Sequence, residues 1–193
     1  MSHKEVRRNL RLARSNVKKR VKGASSHDRL LYFSEFLSIA GITSDIKFLI
    51  DAENHYWSSY FEVMELADDI HALLIELRLK KIRVALVTNL LSSIQYRKIA
   101  KLGIVNMFDI VITSQETIGE KDTFEPFALL IERLKLDKPL NEVWFVGDEI
   151  SDFPLNFPCS RRKFFVSPFS SIKKTTSDSI YLDNYKQMLR YIK

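Results

Sequence analysis

Polar residues with chemical potential fall where short apolar runs end. Val84-Ala85-Leu86-Val87 leads into Thr88-Asn89, Ile110-Val111-Ile112 into Thr113-Ser114, and Val143-Trp144-Phe145-Val146 into Gly147-Asp148. Lys121 follows the second run by a short loop, and Asp152 stands four residues past Asp148. A hydroxyl, a lysine and two carboxylates drawn to one place suit phosphoryl transfer. Acids hold Mg²⁺, a cation balances phosphate charge, and small donors orient the phosphate oxygens. Alone, each residue has a plainer reading. Thr88 is then a strand-end turn residue, Lys121 a solvated loop lysine, and Asp148 and Asp152 the cap and first turn of a helix. Only the joint pattern moves all four toward function.

The elements that must position them are legible from periodicity. Val6, Leu10, Ala13, Val17 and Val21 recur at helical spacing and predict an amphipathic helix over 5–22. Gly23-Ala24-Ser25-Ser26 breaks it, and either Ser26 or Asp28 can cap the next helix, which Gly41 ends. Tyr56, Trp57, Tyr60, Phe61 and Met64 mark a third helix, and Ile70, Leu73, Leu74 and Leu77 a fourth. From residue 82 strands and helices alternate. Strands are expected at 82–87, 108–113, 143–146, 163–166 and 180–182, and helices at 93–102, 124–134 and 185–192. Residues 167–179 read as a loop. Strands joined by single helices imply a parallel sheet covered on both faces. The predicted fold is therefore α/β: a Rossmann-like, doubly wound, mainly parallel sheet over 81–193, preceded by a helical subdomain over 1–80. In such a sheet the crevice lies at the carboxyl ends of the strands, where the polar residues above fall.

Bulk properties narrow the classes. The chain has 193 residues, 46% of them hydrophobic, with 5 Gly and 5 Pro, which fits a globular protein and is too apolar for a disordered one. No run approaches the roughly 20 apolar residues of a membrane span, and the basic N-terminus has no apolar core behind it. A single cysteine, Cys159, excludes an internal disulfide, fits a reducing cytoplasm and reads as a loop residue. The net charge of +6 is concentrated in residues 1–22, which hold nine Lys or Arg against the one acid Glu5. That helix reads as a solvated face, with steering of an anionic substrate as a further role; RNA, DNA or anionic lipid is the alternative partner, and nucleic acid is not expected. His3, His27, His55 and His71 lack zinc-ligand spacing, and the aromatic group at 56–61 reads as core.

Three motifs in order resemble the haloacid dehalogenase-like hydrolases. Val84 to Asn89 is similar to that family's second motif, an apolar strand ending in Thr or Ser. Ser114-Gln115-Glu116-Thr117-Ile118-Gly119-Glu120-Lys121 is similar to the third, and Gly147-Asp148-Glu149-Ile150-Ser151-Asp152 to the fourth. Residues 22–33 look like the start of the helical cap found in one branch, and the likeness spans about 28–152. The resemblance implies a Mg²⁺-dependent phosphatase of a small phosphorylated metabolite. Thr88 would bind a phosphate oxygen, with Asn89 adding a contact. Lys121 would neutralise the phosphoryl group, Asp148 would coordinate Mg²⁺, and Asp152 would support the metal indirectly.

One departure bears on mechanism. The family's nucleophile is the first Asp of an Asp-x-Asp motif on a strand before the cap, and no such motif precedes residue 22. The nearest string, Phe48-Leu49-Ile50-Asp51-Ala52-Glu53, has Glu in second place and aromatic neighbours of helical period, which disfavours Asp51. An upstream start, a divided gene or a degenerate homologue would each account for this. Milder departures are Asp122-Thr123-Phe124 after Lys121, where the family has Pro-Asp-Pro, and Phe153-Pro154 after Asp152, where it has small residues. Two readings follow: a phosphatase whose nucleophile strand is absent from this sequence, or an inactive remnant that binds a phosphorylated ligand or protein partner. A missing strand would leave unpaired sheet edges, which favour homo-oligomers.

Overall fold

The computed structural model describes residues 1–43, 45–135, 139–168, 170 and 179–192. Before the first strand all of the described regular structure is helical. Helix α1 (His3–Arg20) begins at a capping box in which Ser2 and Glu5 satisfy each other's backbone N–H groups, and it buries Ala13 and Val17. Of the two possible caps for α2 (Arg29–Ile39), Asp28 serves, accepting from the Leu30 N–H at 2.8 Å. Glu35 on α2 accepts from Asn16 at 2.8 Å and Arg20 at 3.0 Å, tying α1 to α2 along their length. Helices α3 (Ile46–Glu62) and α4 (Asp68–Leu79) follow. Asp51 lies exposed within α3 rather than at a strand end.

Among the described residues five strands follow, the first three separated by helices: β1 (Ala85–Thr88), α5 (Ser92–Lys101), β2 (Ile110–Thr113), α6 (Glu125–Leu134), β3 (Leu140–Gly147), β4 (Cys159–Val166) and β5 (Ser179–Tyr181). Every pairing is parallel, as the alternation requires, but the strands form two sheets. One is β1-β2 and the other β3-β4-β5. Between them β1 and β3 face a cleft of about 1070 Å³ lined by apolar residues of both, together with Leu73 of α4 and Phe127 of α6. Ile82 and Val146 on its wall are 40% and 43% exposed.

Around it the core is continuous on each side. Ile112, Phe127, Leu130, Phe145, Phe157 and Phe164 form one cluster, so the aromatic segment after Asp152 is spent on packing. Leu73, Leu77, Phe165 and Met188 form another, which docks the C-terminal segment on α4. That segment, expected as an α-helix, is a 3₁₀ helix over Tyr185–Tyr191. Cys159, expected in a loop, opens β4. Of the expected loop 167–179, Ser167, Pro168 and Ser170 are described and Ser179 begins β5; the remainder lies outside the described residues. Among the described residues no helix is long and apolar enough to cross a membrane.

Candidate functional site

The carboxyl ends of β1, β2 and β3 carry the polar residues, and a chain of hydrogen bonds joins them. Thr88 is the last residue of β1, and its Oγ1 accepts from Gln95 Nε2 at 2.6 Å; the same amide donates to Asn89 O at 2.7 Å. Gln95 lies one turn into α5, so the helix after the strand holds the strand's end. Leu90, which has φ 122°, donates its N–H to Ser114 Oγ at 3.0 Å, linking the ends of β1 and β2. The Ser92 and Thr113 hydroxyls meet at 2.5 Å, and Thr113 is capped by Glu116.

Asn89 Oδ1 accepts from the Lys121 N–H at 3.1 Å, so the loop bearing the lysine is pinned to the end of β1. Lys121 itself starts a 3₁₀ turn to Thr123 that ends on Phe124 in the left-handed region at φ 67°. From there Lys121 Nζ reaches Asp152, forming an ion pair in which both side chains are largely buried. The second Asp152 oxygen accepts from the Asp148 and Glu149 N–H groups at 2.9 Å each. Gly147 makes this possible, because a Cβ there would lie 2.2 Å from Asp152 Oδ2. Ion pair and backbone bonds together fix Lys121 relative to the end of β3.

Sequence reasoning named Thr88, Asn89, Lys121, Asp148 and Asp152, and the structure brings them to one edge. It distributes their tasks differently from the simple motif. Asp152 is committed to Lys121 and to the backbone, and Asn89 to the lysine loop. Asp148 is exposed; its carbonyl accepts from Ser170 Oγ at 2.7 Å, while no described hydrogen bond reaches its carboxylate. Mg²⁺ takes six oxygen ligands, commonly one or two carboxylates with waters and substrate phosphate, and among the described residues no group of three or more His, Cys, Asp or Glu gathers around one point.

Some contributors escaped the sequence reading. Gln95 carries no motif; only its place one turn after a strand end could have marked it. The helical segment also reaches this edge. His27 Nε2 lies 2.8 Å from Glu120 Oε1, beside Lys121, and Gly23 approaches so near that a Cβ would sit 2.8 Å from Ile118 O. Gly23 has φ +60°, so both its conformation and the space require glycine. Burial lowers the His27 pKa, against the pull of Glu120, so the imidazole is neutral at neutral pH.

The haloacid dehalogenase-like hydrolase profile matches residues 8–154. The chain belongs to that family. Its fold recurs in a family hydrolase of Bacillus subtilis solved with bound magnesium, at TM-score 0.69 and 16% identity over 100% of this chain and 83% of that one. It recurs again in L-2-haloacid dehalogenase of Xanthobacter autotrophicus, at TM-score 0.65 and 16% identity over 97% of this chain and 85% of that one. A nearer relative in sequence is ribulose-1,5-bisphosphate 5-phosphatase of Halopiger xanaduensis, 38% identical over 141 residues. That match covers 71% of this chain and 57% of the relative, so the chain spans little more than half of that family member.

Proposed function

We propose that this chain forms the phosphate-binding part of a phosphohydrolase of small phosphorylated metabolites, completed when a strand ending in Asp-x-Asp fills the cleft between β1 and β3. The observation that carries the reading is the cleft itself. Its walls are β1 and β3, whose other edges pair with β2 and β4. Apolar residues of both strands line it, with charged groups such as Arg83, Glu142 and Lys163 among them, and Asp152, the partner of Lys121, lines it as well. A strand entering parallel to β1 and β3 would complete the sheet and deliver its last residues to that polar edge.

The residues of this chain then have separate tasks. Thr88, its hydroxyl held by Gln95, orients a phosphate oxygen. Lys121 neutralises charge on the phosphoryl group; Asp152 positions it, and Asn89 fixes its loop. Asp148 is the first contact for Mg²⁺, with the remaining oxygens coming from the incoming strand and the ligand. The helical segment before β1 acts as the cap. The sugar phosphate cleaved by the Halopiger relative is the first candidate substrate. Positioning without a nucleophile gives no covalent chemistry, so the chain alone should bind but not turn over.

The test is release of the chromogenic alcohol from an aryl phosphate in Mg²⁺. The 193-residue chain should show negligible hydrolysis, and an N-terminal extension carrying a strand and Asp-x-Asp-x-Thr should restore it, with Lys121→Ala abolishing the restored activity. Activity in the unextended chain that disappears on Asp51→Asn would overturn the assignment. Absence of activity in both forms would favour the second reading, a binding remnant.

A further inference from the structure

Beside the phosphate edge lies a second cationic site that the phosphate-binding residues do not use. Arg29, at the start of α2, stacks its guanidinium 5.0 Å from the Tyr56 ring and 5.2 Å from the Trp57 ring. Lys98 on α5 places its ammonium 5.7 Å from the same Trp57 ring and 5.1 Å from Tyr60. Two cations thus flank one indole. Among the described residues neither makes an ion pair with a carboxylate. Glu120, the acid on this seam, sits against His27 instead. Burial and the nearby Arg29 both lower the Lys98 pKa, so the charged lysine is held there at a cost. Trp57 is 4% exposed, and its buried indole Nε1 has no hydrogen-bond partner among the described residues. Arg29 donates to the His27 carbonyl at 2.6 Å, but two cations without a carboxylate partner among the described residues, beside an indole donor with none, are what an anion would satisfy.

The place of this cluster connects it to the phosphate edge by two routes. Lys98 lies three residues past Gln95 on the same face of α5, and Gln95 holds Thr88. Trp57 packs on Leu90, the residue after Asn89. We infer that Arg29, Lys98 and Trp57 form a distal anion subsite, which reads a second phosphate or a carboxylate on a substrate whose scissile phosphate sits at Thr88 and Lys121. The inference rests on the phosphatase reading of that edge. Substrate specificity would then come from the junction of the helical segment with α5. The aromatic rings hold the two cations in place, so the ligand does not bear the entropy of ordering them.

Calorimetry on the full chain with ribulose 1,5-bisphosphate and ribulose 5-phosphate tests this, with chelator present so that no turnover intervenes. The bisphosphate should bind roughly ten- to hundredfold more tightly than the monophosphate, as charge-assisted hydrogen bonds to one added dianion allow. Lys98→Gln and Arg29→Gln should each remove most of that preference while leaving monophosphate affinity within about threefold. Lys121→Ala should weaken both ligands alike and leave their ratio intact. Lys98 makes no described hydrogen bond to the backbone, whereas Arg29 holds the His27 carbonyl, so Lys98→Gln keeps the test valid if Arg29→Gln melts early. Equal affinity for the two ligands, or a preference that survives both substitutions, overturns the subsite. Loss of the preference in the two variants, with no effect of Lys121→Ala on either ligand, would instead keep the anion subsite and remove the phosphate edge.

Discussion

Lys121 and Lys98 are both half-hidden lysines on the same molecule, yet their surroundings treat the charge in opposite ways. Lys121 is paired with Asp152, whose other oxygen is tied to two backbone N–H groups, so its charge is stabilised and its position set before any ligand arrives. Lys98 shares the Trp57 indole with Arg29, and among the described residues it has ring faces rather than a carboxylate for a partner. The first arrangement fits a group that must stand in one place to meet a phosphoryl group. The second leaves attraction unspent and fits recognition. Stability is thus served by one cation and opposed by the other, which makes the contrast measurable without any substrate.

The largest effect should come from breaking the paired side. Asp152→Ala leaves Lys121 without its partner and two backbone N–H groups without their acceptor. Removing one member of a buried pair costs about 3–5 kcal/mol, and urea unfolding should show a loss of that order. A loss below about 1 kcal/mol would mean that the pair is no more than a surface contact.

Next comes the reverse sign. Lys98→Met keeps the length of the stem and removes a charge that burial and Arg29 disfavour, so the melting temperature should rise. Relief of the buried charge is offset by the lost cation–π contact of about 0.5–1 kcal/mol, so the net gain should stay under about 1 kcal/mol. Lys121→Met should lower the melting temperature. If both variants shift the same way, the contrast between the two lysines fails.

The smallest effect concerns the histidine that links the two sites. Burial depresses the His27 pKa below 6.5, so the unfolded chain takes up a proton more readily than the folded one. Stability should therefore fall as pH drops through about 6.5 and reach its full loss below the folded pKa. His27→Gln should flatten that fall below about pH 6.5, as melting profiles of the two forms would show. An unchanged slope would mean that His27 does not titrate against the fold.

The strand-end residues were legible from sequence because the chemistry is local to each run. An apolar β-run followed by Thr88-Asn89 or Gly147-Asp148 puts the polar residue at the carboxyl end of a strand whatever the rest of the chain does. Helix periods likewise placed α1 to α4 before any contact was known, since burial of Ala13, Val17, Leu73 and Leu77 needs only one apolar face. Spacing also disfavoured Asp51, which lies within a helix.

What the tertiary structure alone decided is which groups stay free. The family resemblance gives Asp148 the metal and Asp152 an indirect role, and the structure supplies the geometry: Gly147 lets Asp152 fold back onto the backbone and Lys121, while no described hydrogen bond reaches the Asp148 carboxylate. Sequence predicts one sheet; the pairing of edges across space divides it into two and opens the cleft. Arg29 and Lys98 stand 69 positions apart in the chain and carry no motif between them. Their meeting on Trp57 depends on how the first four helices pack against α5, a long-range outcome that no local pattern encodes.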